Sequence, residues 1–226
     1  MPARNLIRIE SENGYYHVYN RGVEKRTIFV DNQDYKVFLK YLKEYLSPPP
    51  DLNKVKETIT LKGYTFQGIP HQPKNFFEKI DLIAYCLMPN HFHLELYQRD
   101  KKDIQCFMQS LLTRYSMYFN KKYDRVGTLF QGTYKAVLID SENYLLHLSR
   151  YIHQNPSEFT NDLENTYSSY SEFLGKRKTS WVKPEIVLDY FDKAKTDFIK
   201  RVNTYKNFVE NYSVDSKEIL GKLTLG

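Results

Sequence analysis

His91 and His93 flank Phe92 in the segment HFHLELY, residues 91–97. On a strand, residues i and i+2 project to the same face. Two imidazoles would then stand close enough to grip one divalent ion, while Phe92 and Leu94 turn to the opposite face. Taken alone the pattern is weak, because a pair of inert strand histidines explains it as well. Two imidazoles also leave a metal that acts on phosphate short of oxygen ligands, so partners must come from elsewhere. Glu95 continues the same face. It fits a ligand or an acceptor for an imidazole N–H, and equally a solvated strand residue.

Residues 141–154 read as a helix that offers more. Tyr144, Leu148, Tyr151 and Asn155 fall at i, i+4, i+7 and i+11, one stripe of a helix. Tyr151 and Asn155 are one turn apart, so a phenol and a carboxamide can face one point. Tyr144 is a rival phenol, roughly 10 Å further up the helix. His153 lies about 160° around the helix from Asn155 and is left out of the site.

The elements that must position these groups follow from pattern. Residues 15–20 alternate and are rich in β-formers, a strand ended by Arg21-Gly22. Asp31 or Asn32 caps a helix of about fifteen residues, which the prolines at 48–50 stop. Residues 80–88, IDLIAYCLM, are continuously apolar, as in a strand buried on both faces. Pro89-Asn90 turns it into the histidine strand as an antiparallel pair. Helical spacing runs from Lys102 to about Lys121 and YKAVLI (134–139) is a further strand. Asp140-Ser141-Glu142 starts the tyrosine helix. Pro156 is expected to push Asn155 out of helical angles and end it.

Residues 47–78 exceed what the core needs. ETITLKGYTF within them reads as a strand, and the remainder as a surface loop. The expected fold is therefore α+β: one antiparallel sheet with helices on it. Residues 1–156 form the main domain with an insertion at 47–78, and 157–226 form a C-terminal extension carrying one or two amphipathic helices after Pro184.

The chain has 226 residues and a net charge of +6, which favours polyanionic partners without requiring them. Twenty Tyr and fourteen Phe accompany a single Trp. Cys86 and Cys106 are too few and too isolated for a disulfide framework, and both read as buried thiols. The N-terminal residues lack the apolar core of a signal peptide, and no stretch approaches the eighteen apolar residues of a membrane span. A cytoplasmic protein is expected.

Four segments stand together in register: YHVYNRG (16–22), MPNHFH (88–93), LFQGTYKA (129–136) and YIHQNP (151–156). Their set resembles the single-tyrosine HUH transposases, and most closely the transposase-like proteins associated with repetitive extragenic palindromes. The likeness runs on through YSSYSEFLG (167–175) and to LDYF (188–191). The resemblance implies a ferredoxin-like (RRM-like) HUH nuclease fold. It implies that His91 and His93 bind Mg²⁺ or Mn²⁺, that Asn155 supplies a third ligand, and that Tyr151 is the nucleophile. It implies cleavage and rejoining of single-stranded DNA beside a hairpin or palindrome, through a 5′-phosphotyrosine link. Arg21, Arg114, Lys121, Lys122, Arg125 and Lys135 are candidates for the DNA backbone, as are Lys25 and Arg26. Tyr19, Tyr115, Tyr118 and Tyr123 are candidates for stacking on bases. Thr133 departs from the arginine common at that place in the family. The alternative is a protein that binds a nucleic-acid hairpin without chemistry. Monomer and homodimer are both open, since in related small transposases the tyrosine helix crosses to a partner.

Overall fold

The computed structural model describes residues 11–52, 54–70, 72–192 and 204–211. Strand β1, Gly14–Arg21, turns Tyr16 and Val18 to one side of the sheet and His17 and Tyr19 to the other, all buried. Helix α1, Asn32–Leu46, starts at Asp31. The Asp31 carboxylate accepts the N–H groups of Gln33 and Asp34, and the Asp34 carboxylate returns to the Asp31 N–H. This reciprocal capping satisfies donors that a helix start otherwise leaves unmet.

The insertion differs from its sequence reading. ETITLKGYTF is a hairpin, β2 (Glu57–Leu61) and β3 (Tyr64–Gly68), forming a separate two-stranded sheet. Lys62 and Gly63 both take positive φ, 49° and 83°, the backbone of a two-residue turn that folds the stretch back on itself. Its register gathers Ile59, Leu61, Tyr64 and Phe66 on one face, and the last three are exposed. The returning chain is tied to the end of α1. Asn75 Nδ2 donates to the carbonyls of Glu44 and Ser47, and the Phe76 N–H donates to Tyr45 O.

Strands β4 (Ile80–Met88) and β5 (His91–Gln98) are joined by Pro89-Asn90. Strand β6 is Lys135–Ile139. The four strands lie in the order β4-β5-β1-β6, and every pairing is antiparallel. With the hairpin set aside, the connectivity is β-α-β-β-α-β, the ferredoxin-like arrangement.

Helices cover both faces. On one side, α1 and α2 (Asp103–Lys122) enclose Phe38, Phe92, Phe107 and Tyr115. On the other, α3 (Glu142–Gln154) lays Leu145, Leu148 and Ile152 over Ile83, Cys86 and Ile139. The C-terminal extension continues this second layer with α4 (Tyr170–Phe173), α5 (Glu185–Asp192) and α6 (Tyr205–Asn211). It also bridges the β4 edge at Cys86–Ser168 and Leu82–Val182. Arg150 Nε donates to Phe208 O at 2.6 Å and Gln154 Nε2 to Val209 O at 2.7 Å, so α6 braces the tyrosine helix.

Three further expectations need correction. Cys106 is exposed, because its place on α2 falls between the inward positions 104 and 107–108 and points away from the sheet. Tyr115 is wholly buried, and its hydroxyl donates to Ile28 O, so it offers no stacking face. Asn155 keeps helical angles, φ −50° and ψ −42°, because Pro156 enters a 3-10 turn at 155–158 that continues the helix. The pre-proline restriction is a preference that this continuation overrides. No described helix is long and apolar enough to cross a membrane.

Candidate functional site

The β4–β5 turn places the histidine pair. Pro89 O accepts the N–H groups of Ile28 and Phe29, and Asn90 O accepts the Gly22 N–H, so the turn is held from the loop after β1. Directly after it, His91 and His93 project toward α3. Their ring centroids are 5.0 Å apart with the planes at 88°. Phe92 goes the other way, against Phe38 and Phe130.

Ser141 caps α3 by accepting the Tyr144 N–H. The helix then brings Tyr151 onto the histidines, its ring centroid 5.4 Å from that of His93 and edge-on to it. Because the helix runs on through Asn155, that side chain remains one turn below Tyr151. Its Nδ2 donates to Tyr151 O at 2.7 Å, and its side chain also hydrogen-bonds His91. Tyr151 rather than Tyr144 is thus the α3 tyrosine packed on His93. His91, His93, Tyr151 and Asn155 meet within one chain.

Burial drives the electrostatics. It pushes His91 below the ordinary histidine range, against an upward pull from its hydrogen bond to Asn155. It holds His93 well below that range, with His17 and His91 adding to the effect. Both rings are therefore neutral near pH 7, the state in which imidazole ligates a metal. His91 Nδ1 lies 2.7 Å from Asn90 Oδ1, and His93 Nε2 is buried with no hydrogen-bond partner. An orphaned buried nitrogen is costly. Beside a second imidazole and a carboxamide oxygen, it makes a donor set that fits one divalent ion. Among the described residues, no three His, Cys, Asp or Glu side chains are grouped so as to hold a metal ion.

Three neighbours bear on the site. His17 on β1 was not singled out by sequence; its Nε2 lies 2.9 Å from His93 Nδ1. Tyr19 pairs with His93 across the β1–β5 ladder. Glu95 is fully buried with both carboxylate oxygens unpartnered, and burial holds it well above the usual carboxylate range. It stands opposite His17, one same-face step beyond His93. His153 is excluded from the site by its own contacts. Its Nδ1 is 2.7 Å from the Tyr205 hydroxyl and its Nε2 2.8 Å from Ser169 Oγ.

The basic candidates divide by layer. Arg21 is cross-strand from His91 and donates to Gln131 Oε1. Lys135 is exposed at the head of β6, its ammonium 5.6 Å from the Tyr19 ring centre. Lys121 is exposed, and Arg125 donates to Asn120 Oδ1. Arg114 stacks on Tyr41 and pairs with Glu44 in the opposite layer. Lys122 sits between Asp31 and Asp34, and Tyr118 and Tyr123 turn their hydroxyls to the same Asp34. Thr133 is exposed.

Residues 74–155, the part of the chain that carries both histidines, Tyr151 and Asn155, match the family described as transposase IS200 like. The fold is shared with a solved REP-associated tyrosine transposase bound to a REP hairpin. That likeness has a TM-score of 0.50 and 10% identity, and covers 77% of this chain and 93% of the other. Among curated proteins none matches the chain.

Proposed function

We propose that the chain cleaves and rejoins single-stranded DNA at sites beside a hairpin, with Tyr151 as nucleophile and His91, His93 and Asn155 as ligands of Mg²⁺ or Mn²⁺. The observation that supports this best is the packing of Tyr151 on His93, with Asn155 bonded to His91, inside the IS200-like segment. When bound, the divalent ion supplies charge neutralisation and polarisation of the scissile phosphate. Tyr151 Oη forms the bond to phosphorus as the bond to the 3′ oxygen breaks. Tyrosine gives up its proton and the departing 3′ oxygen takes one up, leaving a 5′-phosphotyrosine and a free 3′-OH. The ester keeps the energy of the broken bond, so a second 3′-OH can reverse the step and join new ends without ATP. Arg21, cross-strand from His91, and Lys135, beside the Tyr19 ring, would hold flanking phosphates.

Burial favours a second reading. Tyr151 is 5% exposed and His93 fully buried, so neither is open to a phosphate in this conformation. A protein that grips a hairpin while keeping this conformation would bind without chemistry. Incubation with a hairpin-bearing oligonucleotide and Mn²⁺, followed by a denaturing gel, separates the two. A shifted band that persists in Tyr144→Phe and vanishes in Tyr151→Phe supports the enzyme. Binding with no shifted band under any divalent metal supports the binder, and cleavage that survives Tyr151→Phe points to hydrolysis by water.

A further inference from the structure

We infer that His17 is a positioning residue for the metal site: it holds His93 in the tautomer that presents the Nε2 lone pair to the ion. The inference rests on the proposed ligand role of His93. His17 lies on β1, opposite Glu95 and diagonal to His93. Its Nε2 is 2.9 Å from His93 Nδ1, and the rings are stacked with centroids 5.1 Å apart and planes 20° from parallel. Both residues are fully buried, so water does not compete for this contact.

A neutral imidazole carries one proton, and a hydrogen bond at one nitrogen decides which atom has it. At 2.9 Å, a single proton is shared between His93 Nδ1 and His17 Nε2. If His93 Nδ1 holds it, His17 Nε2 accepts and His93 Nε2 is left as a bare lone pair. If His17 Nε2 holds it, His93 must carry its own proton on Nε2, where the structure offers no acceptor. That second arrangement buries an unmet N–H and blocks the ligand position. The first leaves a lone pair that an ion can satisfy. Metal-bound histidines are oriented in this way by an acceptor at the other ring nitrogen, and loss of such an acceptor typically weakens metal affinity 10- to 100-fold. Here the acceptor is a second histidine, itself wedged between Tyr19 and Tyr151 with ring centroids at 4.7 and 6.2 Å. A carboxamide at position 17 can accept the same proton, whereas a phenyl ring cannot.

The test uses the full chain without DNA. Mn²⁺ binding is followed by loss of the free-ion EPR signal for wild type, His93→Ala, His17→Gln and His17→Phe, with circular dichroism as a check of folding. Wild type is expected to bind, His17→Phe to bind about 10- to 100-fold more weakly, and His17→Gln to recover most of the loss. A folded His17→Phe with wild-type affinity overturns the role of His17. A wild type whose Mn²⁺ binding is unchanged by His93→Ala overturns the ligand set instead. Nitrogen-15 NMR of the metal-free wild type gives an independent readout that needs no variant. The inference expects the His93 proton on Nδ1, and finding it on Nε2 refutes the inference whether or not metal binds.

Discussion

Asp34 anchors the loop after β1 that holds the histidine turn, and its removal should destabilise the protein strongly. Its side chain is fully buried. One oxygen accepts the Val30 N–H at 2.8 Å and the Tyr123 hydroxyl at 2.8 Å; the other accepts the Tyr118 hydroxyl at 2.9 Å and pairs with Lys122 Nζ at 2.8 Å. Burial pushes this carboxyl up, but the bonds from Lys122, Tyr123, Val30 and Tyr118 outweigh it and hold the group below its ordinary value. Asp34→Ala leaves these donors without that acceptor. Removing one partner of a buried pair costs about 3–5 kcal/mol. Lys122 is one-fifth exposed and keeps Asp31, which places the loss near the lower end, about 3 kcal/mol. For a chain of this size that lowers Tm by roughly 6–12 °C. Urea denaturation and calorimetry measure it, and a loss under about 1 kcal/mol would refute the reasoning. The pH signature has a definite sign. A depressed carboxylate stabilises the fold above its unfolded value, and that contribution disappears as pH falls through the lower folded value. The acid limb of the stability curve should therefore flatten in Asp34→Ala. Because Ile28 and Phe29 hold the carbonyl of Pro89, the variant should also loosen His91.

Other predictions follow from the same geometry. Burial, with Arg150 adding, pushes His147 down to about 4. It stabilises the fold fully above pH 6.5, and this is lost as pH falls from there toward 4; urea midpoints across that window should lose part of their slope in His147→Gln. Arg21→Ala and Lys135→Ala should weaken binding to a hairpin with a single-stranded flank. Each should reduce the log–log salt slope by about 0.7, while Arg114→Ala, bound to Glu44 and Tyr41 in the other layer, should leave the slope unchanged. Because Tyr151 packs on His93 of its own chain, mixing Tyr151→Phe with His93→Ala should give no covalent adduct; an adduct from the mixture would show a shared site.

What the sequence disclosed, it disclosed through local period. The apolar run 80–88, the alternation at 91–97 and the stripe from Tyr144 to Asn155 each reflect one element's own spacing, and each element stands where that spacing puts it. Long-range contacts had no such signal. His17 touches His93 across 76 residues only because β1 lies beside β5 in one particular register. Alternation shows the face on which His17 lies, never the strand it faces. Sequence marks Lys122 as a cation for the DNA backbone, whereas the two carboxylates that hold it belong to the start of α1, far away along the chain. At Asn155 the pre-proline preference gives way for a local reason, since Pro156 enters a 3-10 turn that prolongs the helical path. That continuation keeps the carboxamide beneath Tyr151 and within reach of His91.

The covalent link to Tyr151 is the most direct test of the proposed chemistry. A hairpin oligonucleotide labelled at both ends, incubated with the full chain and Mn²⁺, can be digested with protease and the adduct peptide sequenced by mass spectrometry. The proposed chemistry predicts a phosphodiester-linked peptide modified at Tyr151, joined to the 5′ side of the break, with the other fragment released bearing a 3′-OH. Attachment at Tyr144, attachment through a 3′ phosphate, or cleavage with no protein-linked fragment would contradict it.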